Sequence, residues 1–275
     1  MEILRKQILT LINNEIRYQY PKLTWIVTSI ISDFISLYVL WQISRAFVPK
    51  EELMNLKGQN YFSYIFWGLE MIRIPSYLCL APGRYIKKLL LEGTFEYVML
   101  FPVSNFKKFL LPSIVGTGIE FARLLIQIII AVLFFNLTIE LPAAVLLFLV
   151  LLIFSPLFFS IGILASGILL KFGRGEALMP KLISLATILS GVYFPVDLFP
   201  ELITKISNFA SPFNHLILKG REIITGKIFI SDYFGSSIFI TEVLISISSL
   251  FVMIKMFNFF IKDFLKYKNK VNVKI

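Results

Sequence analysis

Long apolar runs separated by short charged stretches organise this chain. A helix needs roughly 20 apolar residues to cross a bilayer core about 30 Å thick. The sequence offers six such segments, over 23–47, 61–80, 109–135, 142–170, 178–194 and 238–261. The first carries Trp25 and Trp41 towards its ends, where amphipathic rings settle at the headgroup boundary. Glu70 and Arg73 interrupt the second, Pro156 predicts a kink in the fourth, and the fifth is short. Ahead of them, Leu4, Ile8, Leu11, Ile12 and Ile16 gather on one side of a helical wheel, with Arg5, Lys6, Asn13 and Arg17 mainly elsewhere. That pattern predicts an interfacial helix over 1–21, ending at Pro21. The same stretch lacks the continuous apolar core, followed by small residues, of a cleavable signal.

Lys and Arg in short loops are retained on the cytoplasmic side during insertion. With both termini inside, 17 of them fall on the cytoplasmic face against seven on the other. The expected fold is therefore an all-α membrane protein, a single transmembrane domain over 1–275 with cytoplasmic N and C termini. Composition agrees, since hydrophobic residues make up 57% of the chain and charged ones 16%, a surface on which a soluble domain would aggregate. The net charge of +10 calls for no nucleic acid, because the basic residues mostly flank membrane segments beside anionic lipid.

Chemistry is constrained by what the sequence lacks. Cys79 and His215 are each single, so one chain cannot assemble a disulfide framework, a zinc cluster or a two-histidine membrane protease. Gly173-Arg174-Gly175-Glu176 lacks the Gly-Lys-Ser/Thr ending that cradles phosphates and reads as a tight turn. The expectation is a chain that is not an enzyme, with no catalytic residue, no metal site and no cofactor of its own; nucleotide hydrolysis would take place on another polypeptide.

Between the second and third segments lies RYIKKLLLEGTFEYVMLFPVSNFKK, over 84–108. Pro82-Gly83 is expected to stop the second membrane helix and Pro102 to break the next, leaving a short rigid helix over 84–102. Tyr85, Leu89, Phe95 and Val98 stand in it among Lys87, Lys88, Glu92 and Glu96. Periodicity alone favours such a helix lying on lipid over one docking a partner.

Charges also fall inside the apolar segments, where an isolated one costs roughly 2.5–3.5 kcal/mol on insertion scales. Glu70 with Arg73, and Glu120 with Arg123, sit three apart, which predicts local ion pairs along one helical face. Asp33 has no such neighbour and is a candidate for lining a polar pathway or meeting a partner helix. Gly162, Ala165, Ser166 and Gly167, with Gly116 and Gly118, would let helices approach closely, within the chain in preference to between chains.

Two motifs add a resemblance that extends over nearly the whole chain. Glu92-Gly93-Thr94-Phe95-Glu96, followed by Leu100, Pro102, Val103 and Ser104, resembles the Glu/Arg, Gly-Thr-hydrophobic-Glu, Pro-Val-Ser signature of type-2 ATP-binding-cassette exporter permeases, at the place of that family's coupling helix. Gly191-Val192-Tyr193-Phe194-Pro195, then Leu198-Phe199-Pro200, Ser211-Pro212-Phe213 and Arg221, is similar to the family's pattern around helix five and its external re-entrant hairpin, here 196–227 with Pro195, Pro200, Pro212 and Arg221. Ser211 stands where Asn is commoner, and the Glu-Arg pair usual upstream of Gly-Thr is missing. The resemblance implies six transmembrane helices, a cytoplasmic coupling helix between helices 2 and 3, and an external hairpin between helices 5 and 6. It implies a second permease chain, as homodimer or heterodimer, and a cytoplasmic ATPase subunit that carries ATP and Mg. The coupling role passes to Glu92, Gly93, Thr94 and Glu96 only.

The expected function is thus a permease subunit of an exporter whose cargo is hydrophobic or amphipathic: a drug, peptide, lipid or glycan. A secondary transporter is the first alternative, although the internal repeats of many such folds are missing here. A membrane scaffold or assembly factor is the second. Low charge density outside and no cysteine pairs fit a multi-pass protein of a prokaryotic plasma membrane.

Overall fold

A computed structural model of the chain describes residues 23–46, 60–102, 104–172, 178–210, 212–226 and 237–272. The expected interfacial helix over 1–21 lies outside the described residues. Those residues form helices and no strand. In chain order they are α1 (Leu23–Ala46), α2 (Tyr61–Leu91), α3 (Phe95–Leu100), α4 (Asn105–Phe135), α5 (Leu141–Phe172), α6 (Leu178–Leu189), α7 (Glu201–Ala210), α8 (Pro212–Ile224) and α9 (Ser237–Asn272), with a single 3₁₀ turn at Val196–Leu198 before α7.

Among the described residues, four helices are long and apolar enough to cross a membrane: α1 over Val27–Ala46, α4 over Lys107–Phe135, α5 over Leu141–Phe172 and α9 over Phe239–Phe264. The other two expected spans differ. α6 is a short apolar helix, ended at Ser190-Gly191 where Gly191 takes φ +74°, a conformation that suits glycine. α2 carries Glu70 and Arg73 in its middle and Arg84, Lys87 and Lys88 in its last turns.

α2 is nonetheless the centre of the bundle. Trp67, Phe66, Ile65, Met71 and Ile74 are fully buried on it, and α1, α4, α5, α6 and α8 all pack against it. A helix enclosed by protein is free to carry polar groups that a lipid-facing one must exclude. The expected stop at Pro82-Gly83 does not occur: α2 runs unbroken from Tyr61 to Leu91 with Pro75 and Pro82 inside it. Past Pro82, Ile86 and Leu89 are buried, and their packing offsets the backbone hydrogen bond that proline removes.

The small residues serve this close packing. A Cβ added to Gly162 of α5 would lie 2.5 Å from the Leu78 carbonyl oxygen of α2, Tyr77 occupies the space beside Gly116, and the Phe260 ring of α9 lies against Gly167. The expected use within the chain holds at these three positions. Gly118 meets nothing within 4 Å and faces outward.

Aromatic contacts sort the helix ends. Phe95 of α3 meets Phe264 of α9 edge-on at 5.5 Å, while Lys171 of α5 reaches Asp263 of α9 at 4.0 Å. These join the α2–α3 turn, the end of α5 and the end of α9 at one pole. Phe135 at the end of α4 meets Trp41 of α1 at 5.8 Å and Phe62 of α2 at 5.8 Å, at the opposite pole.

Candidate functional site

Midway between the poles, Asp33, Glu70, Arg73, Glu120 and Arg123 come together from three helices. Leu37 and Asp33 are buried on one stripe of α1 while Ile31, Ile35, Tyr38 and Val39 face outward, so the carboxylate points at α2 and α4. Arg123 of α4 grips it with both arms: Nε donates to Oδ2 at 2.7 Å and Nη2 to Oδ1 at 2.5 Å. Arg73 of α2 donates to Glu70 Oε2 at 2.9 Å, donates to Gln127 Oε1 of α4, and lies 3.6 Å from Glu120 and 3.8 Å from Asp33.

The expected local pair therefore holds for Glu70 and Arg73, which is also tied to α4. It does not hold as expected for the second: Arg123 turns across to α1, and Glu120 faces Arg73. Charges distributed over three helices at mid-depth fix how those helices sit, because each is satisfied only where its partners are. Gln127 is a member that charge-counting overlooks, since a neutral amide stands out in a sequence only once its helix neighbour is known. A cavity of about 300 Å³ opens beside the cluster, bounded by Ser36, Leu37, Leu40, Phe66, Leu69, Glu70, Arg73 and Gln127.

The expected helix over 84–102 is instead the end of α2, a turn and the short α3. Gly93 N donates to Leu90 O at 3.3 Å and Thr94 N to Leu89 O at 2.9 Å. Together they form the paired closure of a helix whose next residue is left-handed, and Gly93 has φ +67°. Glu92 caps α2, Thr94 precedes α3 and Glu96 lies in the first turn of α3. Phe95 and Val98 turn inward, and the Lys108 ammonium holds the segment to α4 by donating to Met99 O at 2.8 Å. Leu91, Tyr97 and Leu100 are 76%, 71% and 80% exposed, so the turn presents apolar groups beside Glu92 at the pole that also bears Lys107, Lys108 and Lys171. The space around Gly93 is open; conformation, not crowding, makes it glycine.

At the other pole, the expected hairpin over 196–227 is the 3₁₀ turn followed by α7 and α8, with 211 and 227 outside the described residues. Pro195 caps the 3₁₀ turn, the Pro200 carbonyl accepts from Ile203 N and Thr204 N at the head of α7, and Pro212 opens α8, where its missing N–H is no loss. Arg221 of α8 is buried. It donates to Tyr64 Oη of α2 at 2.7 Å and to the carbonyls of Gly191 and Val192 at 2.8 and 3.2 Å. Burial pushes the Arg221 guanidinium down to about 10, against the pull of Tyr64, so it stays charged at neutral pH. Lys219 bridges from α8 to Glu242 of α9. His215 is exposed on α8.

No family model matches this chain, and no curated protein does.

Proposed function

We propose that this chain is the permease subunit of an ATP-binding-cassette exporter in a prokaryotic plasma membrane, paired with a second permease chain and driven by a separate cytoplasmic ATPase. In this reading α2 and α6 complete six spans with α1, α4, α5 and α9, and the Gly93 turn faces the cytoplasm. The observation that supports it best is the Glu92–Glu96 turn itself. It closes the one helix that touches most of the bundle, and it exposes Leu91, Tyr97 and Leu100 beside Glu92. A push on this turn would be passed along α2 into the mid-depth charge cluster and on to the Arg221 contact. Such a bundle needs no catalytic group, only two packings whose balance a partner can bias.

The buried charges also suit a secondary transporter, in which an ion gradient replaces ATP. Purification from native membranes followed by reconstitution separates the two. The exporter reading expects an ATPase to copurify, nucleotide-dependent flux in vesicles, and loss of both with Glu92→Lys while the bundle stays folded. Flux that follows an ion gradient without nucleotide would reject it, as would unchanged ATPase assembly in Glu92→Lys.

A further inference from the structure

We propose that the cavity between α1, α2 and α4 binds a small organic cation bearing an apolar group. Among the described residues three carboxylates, Asp33, Glu70 and Glu120, meet two guanidiniums, Arg73 and Arg123, so the cluster has one carboxyl group more than it has guanidiniums. The geometry locates the excess. Arg123 occupies both oxygens of Asp33, whereas Arg73 is shared among Glu70, Glu120 and Gln127. Among the described residues Glu70 accepts from Arg73 through Oε2 alone, and Glu120 meets Arg73 at 3.6 Å, beyond hydrogen-bond length. Glu70 lines the cavity and is 5% exposed, so the unbalanced carboxylate capacity borders the space.

A buried carboxyl group bonded through one oxygen only leaves acceptor capacity unmet, which is unfavourable, and a cation entering the cavity would meet it. Arg73 and Gln127 stand beside Glu70 in the lining, and Leu37, Leu40, Phe66 and Leu69 form the apolar walls, which suit an apolar substituent rather than a hydrated metal ion. About 300 Å³ is the lower end of the range for small-molecule sites. Ser36 lies at the rim and is exposed on the outer side of α1, which gives a ligand an entry beside it. The inference deepens the exporter reading by naming a ligand class and rests on that reading only for movement of the ligand; binding is a property of this chain alone.

The test uses the full chain in nanodiscs of zwitterionic, net-neutral phosphatidylcholine and radiolabelled benzyltrimethylammonium, a quaternary ion with no titratable proton. Saturable binding at one site per chain is expected, displaced by the unlabelled ion but not by its uncharged isostere neopentylbenzene or by phenylacetate. Glu70→Gln should weaken binding about tenfold or more, because it removes the buried counter-charge. Ser36→Phe, which narrows the rim from an exposed position, should do the same while eluting as the wild type does. No saturable binding, equal displacement by neopentylbenzene, or wild-type affinity in either folded variant would overturn the proposal; if Glu70→Gln does not fold, Ser36→Phe decides. An absent ATPase would leave this binding intact, and absent binding would leave ATPase assembly intact, so the two failures are told apart.

Discussion

Arg221 and Tyr64, 157 residues apart in sequence, lock α8 to the central helix α2: the guanidinium carbon lies 3.5 Å from the centre of the tyrosine ring while Nη1 donates to the hydroxyl at 2.7 Å. Tyr64 passes the contact on, donating to Gly191 O at 3.1 Å, and Arg221 reaches the same carbonyl. One cation thus holds α8, α2 and the turn that ends α6. Gly68 lies one helical turn from Tyr64, and a Cβ there would stand 3.0 Å from Val192 O, so the chain passes close to α2 for the contact to form.

Removing Arg221 should therefore destabilise more than a surface arginine would. Arg221→Ala deserts two buried carbonyls and a tyrosine hydroxyl, and a loss of about 3–5 kcal/mol is expected, the range for breaking a buried charged network. Tyr64→Phe keeps the ring beneath the guanidinium and removes one hydroxyl, so about 1–2 kcal/mol is expected. Thermal unfolding in detergent should rank them Arg221→Ala below Tyr64→Phe below wild type. Equal melting of Arg221→Ala and wild type would contradict the contact.

Asp33 and Arg123 make the second long-range prediction. Asp33→Asn leaves the Arg123 guanidinium without its bidentate acceptor and should cost about 3–5 kcal/mol. The double variant Asp33→Leu/Arg123→Leu removes both charges and should regain most of that stability. A double-mutant cycle on melting temperature reads the coupling directly. Additive losses would mean that the two side chains do not act as a pair.

At the turn, the backbone gives a graded expectation. Gly93 has φ +67° with open space around it, so substitutions are limited by conformation alone. Gly93→Ala should destabilise by about 1 kcal/mol, and Gly93→Asn by less, because asparagine tolerates the left-handed region. In the α2–α5 contact the limit is space: Gly162→Ala should cost about 1–3 kcal/mol, since the Leu78 backbone cannot yield as a side chain would. Gly118→Ala, on the open face of α4, should be neutral or slightly stabilising.

What the sequence makes legible here is what periodicity and length control. The apolar runs over 142–170 and 238–261 fall within α5 and α9, and 23–47 coincides with α1 to within one residue, because a helix interior shielded from water must be both apolar and continuous. The stop expected at Pro82 fails for a reason that local signals do not carry: Ile86 and Leu89 find burial against other helices, and tertiary packing outweighs a breaker. The pairing of Asp33 with Arg123 and of Tyr64 with Arg221 was equally hidden, since a period reveals which face of a helix is buried but not which helix it is buried against. At Glu92–Glu96 the breakers predict one short helix over 84–102, whereas the structure has the end of α2 and the short α3 joined by the left-handed Gly93.

The orientation of the two poles can be decided with thiols. Cys79 is the single cysteine of the chain and is 2% exposed, its thiol facing the Phe158 carbonyl at 3.4 Å, so the folded wild type should give little background with a membrane-impermeant maleimide. Tyr97 beside the Gly93 turn and Leu202 on α7 are 71% and 69% exposed, and neither side chain supports the core, so Tyr97→Cys and Leu202→Cys should fold normally. If the Gly93 turn faces the cytoplasm, intact cells should label Leu202→Cys and spare Tyr97→Cys until the membrane is permeabilised. The reverse pattern would place the turn outside, out of reach of any cytoplasmic ATPase, and the exporter reading would fail, while the fold and its charge cluster would stand.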